Sequence, residues 1–467
     1  FNFKNLVRQI VYPINFFYNI YMVTKEFKFI HISDLHIGRE ITKKYNFIDP
    51  DQEIRVRRSP VKVLDNLVAL AEEEHPDFIL LAGDTFDDDM PSSDNYFKKF
   101  KNFLKKLDQL NIDIYIVLGN HDVDSDLLTS FEAKRLPENT YVFPAKNADT
   151  FTIDNFKVAI HGQSYPKKVV TEKLVEKFPE PVRDFYNIGL IHTSYENTYK
   201  LDETHNYAPT NRAMLDKCEY NYWAFGHIHK REILIHDPYL AVYPGNPQGL
   251  STKPSETCND ISDGKGCYIV EVKNFVPELI FKPLDDARFF TAVTEVKKDQ
   301  DISEIVNNTV KKIESIQNEN PGKFLMITVE LEGKSDYYNL ILEEELLTSL
   351  NEELEYEDLN IIKCINKLKP STKEDSLEAI ESIVKELEDL DIEDLESFIN
   401  ETVFDHLTKK EFKKNLNKKF GDLPKSIPLT EQKFISDAID EQESLEIINN
   451  SKKIASRIIN GLSYKDD

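Results

Sequence analysis

The chain has 467 residues, 40% of them hydrophobic and 30% charged, which suits a soluble globular protein of two or three domains with at least one full hydrophobic core. Its formal net charge of −25 argues against binding nucleic acid through overall charge, and leaves open a local basic groove or a metal-mediated phosphate site. The four cysteines (Cys218, Cys258, Cys267, Cys364) form no CxxC pair, so neither a zinc ribbon nor a disulfide framework is expected, and a reducing, intracellular setting fits.

Residues 1–21 contain Pro13 and several asparagines and lack a small-residue cleavage site, so they do not read as a signal peptide. Met22, a few residues ahead of the first strand, is the expected start, and 1–21 an extension of unknown role. No apolar run reaches the ~18–20 residues of a membrane span, so no membrane association is expected. The pattern then alternates. EFKFIHIS (26–33) reads as a strand, SPVKVLDNLVALAEEEH (59–75) as a helix with a Ser-Pro start, and PDFILLAGD (76–84) as a second buried strand. A second amphipathic helix spans 93–110 and a third strand 112–122. Strand-like segments follow at 156–162, 186–195, 220–229 and 239–246, with a closing hairpin over 267–284. From about 288 one clear strand, FLMITVEL (324–331), lies among helices, and KPSTKED (369–375) reads as a linker. Beyond it the sequence is helical and charged, with a basic run at 409–420.

Five strand-end segments carry hard-metal ligand types: Asp34 and His36 in DLH, Asp84 and Asp87 in GDTFD, Asn120, His121 and Asp122 in GNHD, His192 in IHTS, and His227 and His229 in GHIH. The i, i+2 spacing in DLH and HIH points both side chains to one side of an extended segment, so each motif offers two ligands to one place. Carboxylate and amide oxygens with imidazoles suit manganese, iron or zinc. Open α/β sheets place their sites beyond the carboxyl ends of their strands, where all five segments lie. Any one of these histidines alone would read as structural or surface; five at polar or glycine-terminated strand ends do not. His31 and His161 lie within strands and read as structural, and His75, His205, His236 and His406 as surface residues.

This set of motifs resembles that of the calcineurin-like metallophosphoesterases. FIHISDLHIGR, PDFILLAGDTFDDDMPSS, YWAFGHIHKRE and YPGNPQGLS narrow the resemblance to the SbcD-type DNA double-strand-break repair exonucleases, the family of the meiotic-recombination nuclease. The resemblance covers about 27–285, more weakly to 368, and implies an α/β fold: a four-layer αββα sandwich (22–287), a small α+β capping domain (288–368) and a helical C-terminal region (369–467). It implies two divalent metal ions, manganese being the expected pair. Asp34, His36, Asp84 and His229 would hold one, and Asp84, Asn120, His192 and His227 the other, with Asp84 bridging. His121 would act on the phosphate or leaving group as the catalytic residue. Asp87 would stand behind the ligands, Asp122 would fix His192 and His227, and Asp88 and Asp89 would be ordinary turn residues. Two departures are plain: some relatives carry histidine at the position of Asp87, and ETCNDISDGKG (256–266) replaces a shorter turn.

The implied activity is metal-dependent 3′–5′ exonuclease action on double-stranded DNA ends and endonuclease action on single strands, in repair and recombination. The implied partners are DNA ends, a second copy of the chain through Phe97, Phe100, Leu104, Leu127, Leu128 and Phe131, and an SbcC-type coiled-coil ATPase. The last would dock on the tail, where Ile435, Ile439, Ile447, Ile448, Ile454 and Ile458 recur at mostly helical steps. Two other readings stay open here: a phosphoesterase of the same superfamily acting on a phosphoprotein or cyclic nucleotide, and a non-catalytic scaffold for the ATPase.

Overall fold

The computed structural model describes residues 26–369 apart from 46, 48, 89–95, 124–135, 197–206, 254–263, 336–337, 339–340 and 355–357. The extension 1–21, Leu127, Leu128, Phe131, most of the 256–266 insertion and the C-terminal tail lie outside the described residues.

A first sheet begins with β1 (Phe27–Ile32). After helix α1 (Pro50–Glu74) come β2 (Phe78–Ala82), helix α2 (Tyr96–Gln109), β3 (Asp113–Val117) and β4 (Thr140–Val142). These four strands run parallel to their neighbours. A second sheet takes β5 (Asp149–Ile153), β6 (Val158–Gly162), β7 (Tyr186–His192), β8 (Tyr222–Gly226), β9 (Glu232–Ile235) and β10 (Leu240–Tyr243), with helix α3 (Arg212–Cys218) before β8. The chain then returns to pair β11 (Gly266–Lys273) antiparallel to β1, with β12 (Val276–Pro283) as the edge. The orders are β12-β11-β1-β2-β3-β4 and β5-β6-β7-β8-β10-β9.

The central strands are apolar on both faces because both faces are covered. Phe29, Phe78, Leu80 and Val117 point one way and meet Ile160, Ile188, Leu190 and Tyr222 of the second sheet. Their neighbours Ile30, Ile79, Leu81 and Ile116 point the other way and meet Leu64, Leu67, Phe100 and Leu104 of α1 and α2. Trp223, Phe225 and Tyr243 on the outer face of the second sheet pack on Met214 and Leu215 of α3. The result is the expected αββα sandwich. A smaller sheet follows, β13 (Ala287–Val296), β14 (Phe324–Gly333) and β15 (Leu359–Asn366), with α4 (Ile302–Asn318) and α5 (Glu343–Glu353). Among the described residues the chain divides into two compact units, one holding 26–294 with Ser303–Leu331 and Leu342–Asn366, the other Glu295–Ile302, Glu332–Ile341 and 367–369. The sandwich and most of the small sheet belong to the first.

Several expectations need correction. Helix α1 starts nine residues before the Ser-Pro pair: Asp49 caps it, accepting from the Asp51 N–H at 2.8 Å, and Pro50 takes the first turn. Pro60 sits inside the helix, and the Val56 carbonyl that its missing N–H would have met accepts instead from Ser59 Oγ at 2.8 Å. Phe100 and Leu104 are fully buried in the chain's own core, and Phe97 stacks on Phe86, so this part of the expected pairing surface is already used. His31 and His161 are structural, as expected. His31 ties the two sheets, its Nδ1 2.9 Å from Tyr222 Oη and Nε2 3.1 Å from the Phe225 carbonyl. Burial drives its pKa down to about 3 against the pull of that carbonyl.

Candidate metal centre

The five motifs leave the ends of β1, β2, β3, β7 and β8, and the structure brings them together. The turns after β1 and β2 continue side by side: Asp34 N–H donates to the Gly83 carbonyl, His36 N–H to Asp84 and Ile37 N–H to Thr85, at 2.9, 3.1 and 3.0 Å. Asp34, His36, Asp84 and His227 all have positive φ, at 54°, 44°, 51° and 103°. Such backbone is strained in non-glycine residues and persists where surroundings over-determine it. The glycines are part of that surrounding. Gly83 has φ +90°, and a Cβ there would lie 2.5 Å from His192 Nδ1; one on Gly226 would lie 1.8 Å from the Ala82 carbonyl.

Donor atoms of Asp34, His36 and His229 lie within 4.8 Å of one another, as do those of Asp84, His192 and His227, and those of His36, Asp84 and His121. His36 and Asp84 thus link the groups. Asn120 joins the second, its Oδ1 3.1 Å from His192 Nε2. Asp34, His36, Asp84, Asn120 and His192 are buried, whereas His121, His227 and His229 are half-buried and open the site to solvent.

The hydrogen bonds behind the imidazoles set their tautomers. His192 Nδ1 faces the Ala82 carbonyl at 2.9 Å, so it carries a proton, and Nε2 points toward Asn120 Oδ1 and, at 3.3 Å, Asp84 Oδ2. His36 Nδ1 faces Asp87 Oδ2 at 3.0 Å, and its Nε2 stands 3.0 Å from Nε2 of His229. Ring nitrogens aimed at acceptors need positive charge, a proton or a cation, between them. Electrostatics agree: burial opposes charge on His36 and His192, but Asp87, Asp84 and Asp34 around the first and Asp84 and Asp34 around the second raise both to about 9. Burial likewise opposes ionisation of Asp84, yet His192, His36 and His121 hold it well below the usual carboxylate range. This nitrogen and oxygen donor set fits two divalent cations.

Around the candidate donors three aspartates take different roles. Asp87 does stand behind His36, and Arg39 Nη1 reaches it at 3.2 Å. Asp122 does not fix His192, whose acceptor is Ala82. It clamps two motif loops together, Oδ1 accepting from the N–H groups of Thr85 and Phe86 at 2.9 and 3.0 Å and Oδ2 from Gly119 at 2.9 Å. Burial and the Asp84 charge push its pKa up to about 7 against the Gly119 and Phe86 donors. Asp88 is no ordinary turn residue: its Oδ2 lies 3.1 Å from His121 Nδ1 and accepts from Lys168 Nζ at 2.7 Å. His121 N–H in turn donates to Asp84 Oδ1 at 3.0 Å. Lys168 carried no signal in sequence, because only the fold brings it to Asp88. Asp89 lies outside the described residues.

The calcineurin-like phosphoesterase family profile matches residues 27–231. An uncharacterized metallophosphoesterase of Bacillus subtilis, YhaO, is 30% identical over 296 residues, 61% of this chain and 68% of that protein. The DNA double-strand break repair protein Mre11 of Methanocaldococcus jannaschii is 26% identical over 298 residues, 62% of this chain and 74% of that one. The protein of the same name from Methanococcus maripaludis is 24% identical over 371 residues, 77% and 89% of the two chains.

Proposed function

The chain belongs to the calcineurin-like metallophosphoesterases, and from that premise we propose that it is a manganese-dependent DNA nuclease acting in double-strand-break repair. The observation that carries the reading is the convergence of Asp34, His36, Asp84, Asn120, His192, His227 and His229 from five strand ends, with His121 at the open side. The relatives named as double-strand break repair proteins support the choice of DNA. Asp34, His36, Asp84 and His229 are the proposed ligands of one ion, and Asp84, Asn120, His192 and His227 of the other. When bound, such a pair neutralises charge on a scissile phosphate and lowers the pKa of the attacking water.

The chain's own residues do the rest. Strained, hydrogen-bonded turns hold the donors in place before substrate arrives. His121, with Asp88 beside Nδ1, presents its other nitrogen to the phosphate or leaving oxygen as donor or general acid. Residues 22–287 form the proposed nuclease domain and 288–368 its cap. The proposal extends to an intracellular setting, to a coiled-coil ATPase docking on 369–467, and to a homodimer meeting through the segment near 126–136. Among the described residues no helix is long and apolar enough to cross a membrane.

The test is digestion of end-labelled duplex and single-stranded DNA with manganese, by wild type and His121→Ala. Wild type should shorten duplex from its 3′ ends and cut single strands; His121→Ala should do neither while keeping both metals by elemental analysis. Intact DNA alongside cleavage of a small phosphomonoester would replace DNA with another phosphate ester as substrate.

A further inference from the structure

Lys265 is a buried lysine, 8% exposed, at the end of the unusual 256–266 insertion. Its ammonium donates to the backbone carbonyl of His229 at 2.8 Å and to Asn246 Oδ1 at 2.8 Å. The Asn246 N–H reaches the same carbonyl at 3.3 Å. Gly245, at φ +75°, lies so close that a Cβ there would stand 2.7 Å from that oxygen. The backbone of His229 is therefore gripped from several directions, on a turn that also holds His227 at φ 103°. A turn strained in this way keeps its shape only while its neighbours enforce it.

What holds Lys265 is itself held. Its N–H donates to Asp285 Oδ2 at 2.8 Å, and its carbonyl accepts from Leu284 and Asp285 at 2.8 and 3.1 Å. The Asp285 carboxylate is fully buried and takes Arg288 through Nε at 3.1 and 3.0 Å and Nη2 at 3.0 Å. Arg288 Nη1 continues to Asn320 Oδ1 at 2.5 Å, in the turn after α4, and Lys323 Nζ donates to the Asp285 carbonyl. An unbroken line of buried polar contacts thus runs from the α4–β14 turn to the backbone of His229. Buried ionic groups of this kind are costly unless fully partnered, and a shift at one end leaves groups unsatisfied at the other.

We infer that Lys265 is a positioning residue for His229, and that the Asp285–Arg288–Asn320 line makes the affinity of one metal ion depend on the placement of the α4–β14 turn. This rests on the proposed reading of His229 as a ligand. Residues that orient metal ligands change affinity by about 10- to 100-fold when removed.

The experiment titrates the metal-free full chain with manganese, by calorimetry and by the ion's paramagnetic resonance, alongside its thermal unfolding. Lys265→Met should weaken one of two ions by about 10-fold or more and leave the other unchanged. Its DNA cleavage should recover at saturating manganese. Asn320→Ala should weaken the same ion by a smaller factor, and the double variant should be no worse than Lys265→Met alone, because both act along one line. Wild-type affinity at both ions in Lys265→Met would overturn the inference, as would equal weakening of both ions with a lowered unfolding temperature. Should Lys265→Met fold poorly, Asn320→Ala decides by itself: unchanged manganese affinity there overturns the coupling. Absence of manganese binding by wild type would sink the ligand reading itself, an outcome distinct from the others.

Discussion

Removing the Asp122 carboxylate tests whether the loops of the candidate metal centre are held by backbone capping. In Asp122→Ala the N–H groups of Thr85, Phe86 and Gly119 lose their acceptor together, in a position with no solvent access. Each buried donor left unmade costs about 1–3 kcal/mol, which gives roughly 3–9 kcal/mol for three. Part is offset, because the carboxylate is itself held against burial and against Asp84, so the lower half of that range is expected. Asp122→Asn separates the terms. Its amide oxygen can still accept from Thr85 and Phe86, but its NH2 then faces the Gly119 N–H, donor against donor, at a cost of about 1–2 kcal/mol. Urea unfolding of the metal-free protein at neutral pH should therefore rank wild type above Asn and Asn above Ala. The clamp joins the loops of Asp84 and Asn120, so manganese affinity should fall in the same order. An alanine variant within about 1 kcal/mol of wild type, or one more stable than the asparagine variant, refutes the reasoning.

Asp84→Ala should lose both metals by elemental analysis, since His36 and His192 both converge on it at 3.8 and 3.3 Å; two retained ions would rule out a bridging role. Asp88→Asn removes a carboxylate charge 3.1 Å from His121 Nδ1 and should lower the cleavage rate by about 10-fold or more without changing metal content, as expected if that charge supports a general acid at His121, and single-turnover kinetics with a metal count would check it. His31 is buried with its pKa at about 3 against 6.5 when unfolded. Below 6.5 the unfolded chain therefore binds a proton that the native one refuses. Stability through this residue is full above 6.5 and declines as pH falls toward 3, by at most about 5 kcal/mol. Urea titrations at stepped pH should show His31→Gln lacking that part of the wild-type decline.

The candidate site was legible because its candidate ligands come as short patterned words. Asp34-x-His36, the Gly-Asn-His-Asp of 119–122 and the Gly-His-x-His of 226–229 each put two or more donors at one strand end, and apolar strands before them fixed where those ends lie. What stayed illegible lay in contacts between segments. The acceptor on His192 is a main-chain carbonyl 110 residues away, and the donors to Asp122 are main-chain N–H groups, which no side chain marks. Asp88 was one aspartate in a run until the fold set it between His121 and Lys168. In the fold, strands β4 and β9 have only three and four residues, too few to show alternation. The start of α1 was misplaced for a specific reason. Ser59-Pro60 looks like a helix start because a proline inside a helix is disfavoured unless a neighbour such as Ser59 meets the freed carbonyl, and the cap in use, Asp49, lies ten residues earlier.

One tension remains between composition and proposed substrate: a chain with a net charge of −25 is to act on a polyanion. The structure locates the tension at the site and suggests how it is resolved there. Asp34 and Asp84 are the charged members of the donor set, and two divalent cations would more than neutralise them, leaving the pocket positive where the phosphate must sit. Among the described residues, basic groups near the site already have partners. Arg39 meets Asp87, Lys168 meets Asp88, and Arg231 lies over the Phe281 ring at 3.8 Å. On the proposed reading, then, attraction at the scissile phosphate depends on the metals, and DNA binding at the site should require them. A nuclease that draws its substrate through a broad basic surface would behave otherwise: its affinity would survive chelation and fall steeply with salt.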